Sequence, residues 1–150
     1  VKKICELIES GADFETVVEK AELYSRHTHV VFALSSFNNL VKNGRMSKIV
    51  GFVANKLGFW GIGIGSEQGT IEIKQKIRGS KKALDAIIED MKERGYNCGK
   101  VVISHCRNAE FAESVKSAIQ SVWDKAEVKI VHARGLCSYY AEKGGLIIGF

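Results

Sequence analysis

Two neighbouring segments near the middle of the chain constrain its fold most strongly. Residues 59–65 alternate apolar side chains with glycine, and residues 70–77 mostly alternate isoleucine with charged side chains. The turn between them, at residues 66–69, ends in glycine, so the pattern predicts a β-hairpin with one solvated face. A hairpin at this point rules out an all-parallel, doubly wound sheet. The isoleucines that the alternation assigns to a single face are Ile71, Ile73 and Ile77.

Apolar runs and helical periodicities on both sides of the hairpin extend this assignment. Strands are predicted at residues 30–34, 59–65, 70–77, 100–105, 128–132 and 146–150. Helical periodicity is present at residues 4–8, 13–27, 37–41, 48–57, 80–91 and 108–123, with a helical turn at 138–142. The order of these elements predicts an α/β fold of two layers, in which helices pack on a mixed, largely antiparallel six-stranded sheet.

The composition is that of a globular protein. Of the 150 residues, 45% are hydrophobic and 26% are charged, and no apolar run approaches the ~18 residues that span a bilayer. We therefore expect no stable membrane insertion. The net charge of +5 is dispersed, and the basic residues are not interleaved with aromatic side chains, so we expect no binding of nucleic acid.

The cysteines and histidines form no recognisable metal or catalytic motif. The four cysteines lack the paired spacing of a zinc site or a disulfide framework, so we expect buried free thiols in a reducing cytoplasm. His27 and His29 have no third ligand close in sequence. His105 and Cys106 are adjacent in a predicted strand, where neighbouring side chains point to opposite faces and cannot meet as a nucleophilic pair. We expect neither a metal site nor a catalytic residue.

Several residues at element boundaries have the chemistry to hold an anion. A guanidinium at the Gly44-Arg45 turn can clamp a carboxylate through two hydrogen bonds, while the glycine lets the backbone bend. Ser35 and Ser36 follow a strand and begin a helix, where hydroxyls usually cap and can also help to bind an anion. Glycine within the strand at 59–65 marks a place where a ligand or another backbone comes close, but its spacing is not the GxGxxG of a nucleotide site.

A basic stretch follows the hairpin. Arg78 lies in it together with Lys81 and Lys82. From the residues alone, this stretch is either an exposed strand end or a docking surface for an acidic partner.

Three motifs together resemble those of the DegV family of bacterial fatty-acid-binding proteins. They are GRMSK at residues 44–48, RGSKKA at residues 78–83 and the ending GLCSYYAEKGGLIIGF at residues 135–150. The resemblance covers residues 30–150, and the helices before them resemble those that lead into the family's C-terminal domain. It implies that residues 1–28 are a helical lead-in from an N-terminal domain and that residues 29–150 form a C-terminal lipid-binding lobe.

The resemblance also implies a function. Proteins of this family hold one long-chain fatty acid between two domains, without a cofactor, and present it to a fatty-acid kinase that makes an acyl phosphate for phospholipid synthesis. The chain would then belong to a non-catalytic, cytoplasmic carrier whose partners are the fatty acid, the fatty-acid kinase and its own N-terminal domain.

The resemblance assigns roles to individual residues. Arg45 matches the arginine near the ligand head, and Arg78, with Lys81 and Lys82 beside it, matches the arginine that docks the kinase. Tyr140 stands where many members place a histidine near the carboxylate. Its phenol can donate a hydrogen bond but cannot become an imidazolium.

Apolar residues on the predicted helix at 48–57 and on the strand after it are candidates for the wall of a lipid tunnel. They are Ile49, Phe52, Val53, Phe59, Trp60, Ile62 and Ile64. The same positions also suit an ordinary hydrophobic core.

Two other functions stay open from the sequence. One is a phosphotransferase lobe related to dihydroxyacetone kinase, although the sequence has no phosphate loop and no cluster of aspartates for Mg²⁺. The other is a basic nucleic-acid-binding module, which the net charge alone suggests.

Overall fold

Six strands form one sheet in the part of the chain that the computed structural model describes, namely residues 1–45, 58–66 and 69–150. The strands are β1 (Val30–Leu34), β2 (Phe59–Gly65), β3 (Ile71–Arg78), β4 (Lys100–His105), β5 (Glu127–His132) and β6 (Leu146–Gly149). The helices are α1 (Lys2–Glu9), α2 (Phe14–Arg26), α3 (Asn38–Lys42), α4 (Ser80–Glu93), α5 (Ala109–Val122) and α6 (Gly135–Ala141). The predicted helix at 48–57 lies outside the described residues.

The sheet is mixed, and antiparallel pairing dominates it. Its strand order is β3-β2-β1-β6-β4-β5. Among the described strands, only β4 and β5 pair in parallel, and α5 makes the crossover that such a connection needs. The predicted α/β fold with a largely antiparallel six-stranded sheet is confirmed.

Strand alternation divides the hydrophobic core into two clusters. On β1, Val31 and Ala33 point to the side that α4 and α5 cover, which we call the α4–α5 face. Phe32 and Leu34 point to the opposite side, where Leu40 of α3 joins them in a smaller cluster; we call this side the α3–α6 face. The α4–α5 face holds most of the fully buried side chains, so it contributes most of the hydrophobic stabilisation.

Helical spacing explains how α4 and α5 cover their face. Each helix presents fully buried apolar side chains three or four residues apart, so they share one side of the helix. These side chains are Ala83, Ile87 and Met91 on α4, and Ala112, Val115 and Ile119 on α5.

A β-bulge in the central hairpin changes the predicted alternation of β3. Ile62 pairs with Gln75 and Gly63 pairs with Ile73, so one extra residue of β3 lies between these pairs. Because a shift of one residue moves the following side chains to the other face, Ile77 packs on the α4–α5 face, whereas Ile71 and Ile73 pack on the α3–α6 face. The prediction that all three isoleucines share one face is wrong for this reason.

Two glycines of β2 make room for aromatic rings. A Cβ atom at Gly61 would collide with the ring of Phe37, and one at Gly63 would collide with the ring of Phe32 and with the backbone oxygen of Glu72. The strand glycines therefore do mark a close approach. In the structure the approaching groups are phenylalanine rings of the same chain.

The thiols differ from the prediction in their exposure. All four cysteines are free, but Cys5, Cys98 and Cys137 are exposed, and only Cys106 is partly buried. The three exposed cysteines lie on α1, in the turn before β4 and on α6, at positions that the hydrophobic core does not cover. Within the described ranges, no helix combines the length and apolarity that crossing a bilayer requires.

His105 is buried at the end of β4, with 3% of its surface exposed. Its Nδ1 lies 3.1 Å from the backbone N–H of Asn108, which donates to it just before α5 begins. The ring of His132 on the adjacent strand lies 4.5 Å away, centroid to centroid. Burial, and in second place the neighbouring His132, lower the pKa of His105, so its imidazole is held neutral and able to accept the bond from Asn108.

The glycine packing predicts a contrast between two substitutions on the same strand. Gly63→Ala is expected to lower the free energy of unfolding by about 1–3 kcal/mol, because the added methyl group overpacks the Phe32 ring and the β3 backbone. Gly65→Ala is the matched control, since a Cβ atom there meets nothing within 4 Å. Urea unfolding of both variants measures the contrast, and equal losses would contradict the packing role of Gly63.

The environment of His105 predicts a loss of stability in mild acid. The folded-state pKa is lowered from 6.5, so the contribution of His105 to stability is complete above pH 6.5 and is lost as the pH falls through the lowered value. Urea unfolding on both sides of that pH should show the decline, and His105→Gln should flatten it. An unchanged pH dependence in the variant would assign the decline to other groups.

Candidate functional site

The turn that carries Arg45 is built by the end of α3. The backbone N–H of Arg45 donates to the oxygen of Leu40 (2.9 Å), and the N–H of Gly44 donates to that of Val41 (3.1 Å). Gly44 has a φ of +63°, which suits glycine, and the two bonds form a Schellman motif that ends the helix. The position of Arg45 therefore follows from the orientation of α3. The side chain of Arg45 is exposed.

The start of α3 binds a carboxylate of the same chain. The hydroxyl of Ser36 donates to Oε2 of Glu142 (2.6 Å), and the backbone N–H of Asn39 donates to Oε1 (2.9 Å). The hydroxyl of Ser35 donates to the backbone oxygen of Lys143 (3.2 Å). Ser35 and Ser36 thus have partners within the chain, and their predicted role toward a ligand anion stays a prediction.

Further polar bonds join α3 to α6 along its length. The side-chain amide of Asn39 donates to the backbone oxygen of Tyr139 (2.8 Å), and that of Asn43 donates to the Tyr139 hydroxyl (3.0 Å). The next residue, Tyr140, is partly buried against the cluster on the α3–α6 face. The predicted head-group residues are thus linked: Arg45 lies in the turn that ends α3, and Tyr140 lies on α6, to which α3 is bonded.

The structure separates the candidate tunnel residues of β2. Ile62 is 2% exposed and belongs to the core of the α4–α5 face. Trp60 packs on the same side, with its ring centroid 4.7 Å from that of Phe111. Strand alternation turns these two side chains away from α3, so their observed role is core packing. Ile64, 6% exposed, pairs with Val31 and lies on that side too, so the prediction that it lines the tunnel is wrong. Phe59 is partly buried at the start of the strand.

The remaining candidates, Ile49, Phe52 and Val53, lie outside the described residues. Next to Tyr140 on the α3–α6 face, the structure places partly buried apolar side chains that the sequence did not single out as site residues. They are Ile71, Ile73, Cys106 and Ile147. The shared face of Phe32 and Leu34 was readable from β1, but the faces of the β3 isoleucines depend on the bulge.

The predicted docking residues lie at the junction of β3 and α4. Arg78 is exposed, and its guanidinium carbon lies 5.8 Å from the centroid of the Phe59 ring, within reach of a cation–π contact. Lys81 and Lys82 are exposed in the first turn of α4, which has no acidic residue. Cations at a helix N-terminus oppose the helix dipole, so local helix stability does not explain this charge.

A separate cleft of about 640 Å³ lies between α1, α2 and the segment that precedes β4. At its edge Lys100 donates to Glu6 (2.8 Å), and this bond lowers the pKa of the Glu6 carboxyl and raises that of Lys100. None of the site residues predicted from the sequence lines this cleft. Over the described ranges, no three metal-binding side chains come together.

The chain resembles known proteins along nearly its whole length. The model of the DegV family, described as uncharacterised proteins, matches residues 1–150. A DegV domain-containing protein of Streptococcus pyogenes serotype M1 is 43% identical over 144 residues, which are 96% of this chain and 51% of that protein. The chain spans about half the length of the curated relatives it matches.

Two solved structures have the same fold. The Fatty Acid Kinase (Fak) B3 protein of Streptococcus pneumoniae, loaded with linoleic acid, aligns with a TM-score of 0.94 and 40% identity over 99% of this chain and 53% of that one. A DegV family protein of Eubacterium eligens, loaded with heptadecanoic acid, aligns with a TM-score of 0.94 and 36% identity over 99% of this chain and 54% of that one. On the family match along residues 1–150 and these identities, the chain belongs to the DegV family.

Proposed function

We propose that the complete protein binds one long-chain fatty acid in a tunnel shared by this chain and an N-terminal domain. It then presents the carboxyl end to a fatty-acid kinase and acts as a carrier without catalytic activity of its own. The observation that carries this proposal is the 40% identity and TM-score of 0.94 to the Fak B3 protein loaded with linoleic acid.

The α3–α6 face supplies an apolar surface for such a ligand. Ile71, Ile73, Tyr140 and Ile147 are only partly buried there, so they offer apolar area that an acyl chain can cover. Burial of each methylene contributes about 0.8 kcal/mol, so a ~16-carbon chain offers on the order of 12 kcal/mol before the cost of ordering is subtracted. The hydrocarbon therefore supplies most of the affinity.

The carboxylate supplies orientation. A buried carboxylate must be hydrogen-bonded, and an arginine can bind it through two parallel bonds. In this proposal Arg45 and Tyr140 provide donors from this chain, Ser35 and Ser36 lie at the start of the same helix, and the N-terminal domain provides further hydroxyls. In the same proposal Phe59 contributes to the wall, together with Ile49, Phe52 and Val53, which lie outside the described residues.

The kinase would dock at the junction of β3 and α4. The exposed cations Arg78, Lys81 and Lys82 lie at one helix end, where an acidic surface of a partner would gain both from their charge and from the helix dipole. The Phe59 ring under Arg78 limits the freedom of that side chain, which lowers the entropy cost of docking.

The complete protein, purified from bacterial cells, is expected to carry close to one fatty acid per molecule. The 150-residue chain alone should retain much less, because half of the tunnel wall is then missing. Mass spectrometry of an organic extract measures both contents. An extract without fatty acid from well-folded complete protein would contradict the proposal.

Arg78→Ala in the complete protein is expected to lower acyl-phosphate production by the kinase while leaving the fatty-acid content unchanged. The loss of one docking cation should reduce production by roughly tenfold, which corresponds to ~1.4 kcal/mol of docking free energy. Lys92→Ala, which removes an exposed cation from the last turn of α4, is the matched control and should change neither quantity. Loss of the fatty acid with production retained would place Arg78 in the lipid site instead.

A further inference from the structure

We propose that Glu142 is a positioning residue for the fatty-acid head group, because its carboxylate fixes the helix that carries Arg45 against the helix that carries Tyr140. This inference rests on the proposed function and deepens it. It concerns a residue that touches neither the ligand nor the kinase in the arrangement proposed above.

The backbone of Glu142 is in a conformation that side chains rarely adopt. Its φ is +53° and its ψ is 178°, in the region that glycine favours. Two glycines follow almost at once, at Gly144 and Gly145, and in both a Cβ atom would collide with neighbouring atoms. Position 142, in the same tight turn, is a glutamate instead of a glycine. In our proposal its strained backbone conformation is retained because it directs the carboxylate toward α3.

The carboxylate uses both of its oxygens, and each accepts from a different part of the α3 entry. Oε2 accepts from the Ser36 hydroxyl at 2.6 Å, and Oε1 accepts from the Asn39 backbone N–H at 2.9 Å. Because the two donors are three residues apart, the two bonds fix both the direction of α3 and its distance from Glu142. Charge assistance makes both stronger than bonds between neutral groups.

Apolar packing alone would leave that direction free. Phe37 and Leu40 anchor α3 on the α3–α6 face, each with 2% of its surface exposed. Hydrophobic contacts hold a helix down but are not directional. The Glu142 bonds therefore orient the start of α3, and the Asn43 bond to Tyr139 holds its end.

The Glu142 bonds constrain the positions of both proposed head-group residues, Arg45 and Tyr140. α3 has five residues, and the Schellman motif joins its end directly to Arg45. On the other helix, Glu142 follows Ala141 as the residue that ends α6, and its own N–H donates to the backbone oxygen of Ser138. Tyr140 lies within that last turn. The Glu142 side chain thus couples the two groups that the proposed function assigns to the carboxylate, in addition to the Asn39 and Asn43 bonds to Tyr139.

The test separates recognition of the head group from folding. In the complete protein, the affinities for palmitic acid and for hexadecanol, which has the same chain length without the carboxylate, are measured by displacement of a fluorescent fatty acid. Glu142→Ala is expected to weaken palmitic acid binding at least tenfold and hexadecanol binding by less than twofold. Glu142→Gln, which keeps one acceptor oxygen, should lie between Glu142→Ala and the wild type. Glu113→Ala, on the opposite face in α5, should retain the wild-type ratio.

Two further variants make the inference specific. Glu142→Gly relieves the backbone strain, so it should melt closer to the wild type than Glu142→Ala does and still lose the preference for the acid. Because Glu142 acts in part through Arg45, the double variant R45A/E142A should lose less palmitic acid affinity than the sum of the losses in the two single variants.

The outcomes distinguish the two proposals. Equal loss of both ligands in Glu142→Ala, or an unchanged ratio in Glu142→Ala and Glu142→Gly, would overturn the positioning role while leaving the lipid carrier intact. Additive losses in the double variant would also overturn it. A wild-type complete protein that binds neither ligand would overturn the proposed function and this inference with it.

Discussion

The alternation of side chains along β1 is the constraint on which the rest of the structure depends. β1 pairs with β2 on one side and with β6 on the other, so it fixes the register of the sheet centre. Val31 and Ala33 are completely buried under the long helices, whereas Phe32 turns its ring to the other side. The same alternation on β2 places Gly63 opposite Phe32, where only a residue without a side chain fits. One strand thus assigns every neighbouring element to a face.

Different interactions hold the helices on the two faces of the sheet. The α4–α5 face is closed by apolar side chains at helical spacing, which give stability without demanding one exact direction. On the α3–α6 face a short helix has little apolar area, and directional bonds from Glu142, Asn39 and Asn43 fix it to α6. Packing on the α4–α5 face therefore supplies most of the stability, whereas hydrogen bonds on the α3–α6 face fix the relative orientation of its helices. A ligand on the second face would meet a surface whose polar groups are already oriented.

The sequence predicted what depends on local pattern and missed what depends on distant contacts. Strand positions and the hairpin follow from alternation and turn residues, and the structure has them where expected. The bulge that moves Ile77 to the other face leaves no local signal, because the count of residues in β3 is compatible with either register. Glu142 lies 103 residues from Asn39 in sequence, so its contact with α3 could not be read from spacing. The placement of Trp60 in the core likewise depends on Phe111, a residue of a later helix.

The strand order has a consequence for how the domain acquires its structure. β6 follows every other strand in this chain, yet it pairs with β1 on one side and β4 on the other. Until β6 enters, the sheet exists only as two separate ribbons, β3-β2-β1 and β4-β5, with unpaired edges facing each other. Closure across so long a sequence separation is slow compared with local pairing. During synthesis on the ribosome, we expect the two ribbons to merge only after β6 has emerged.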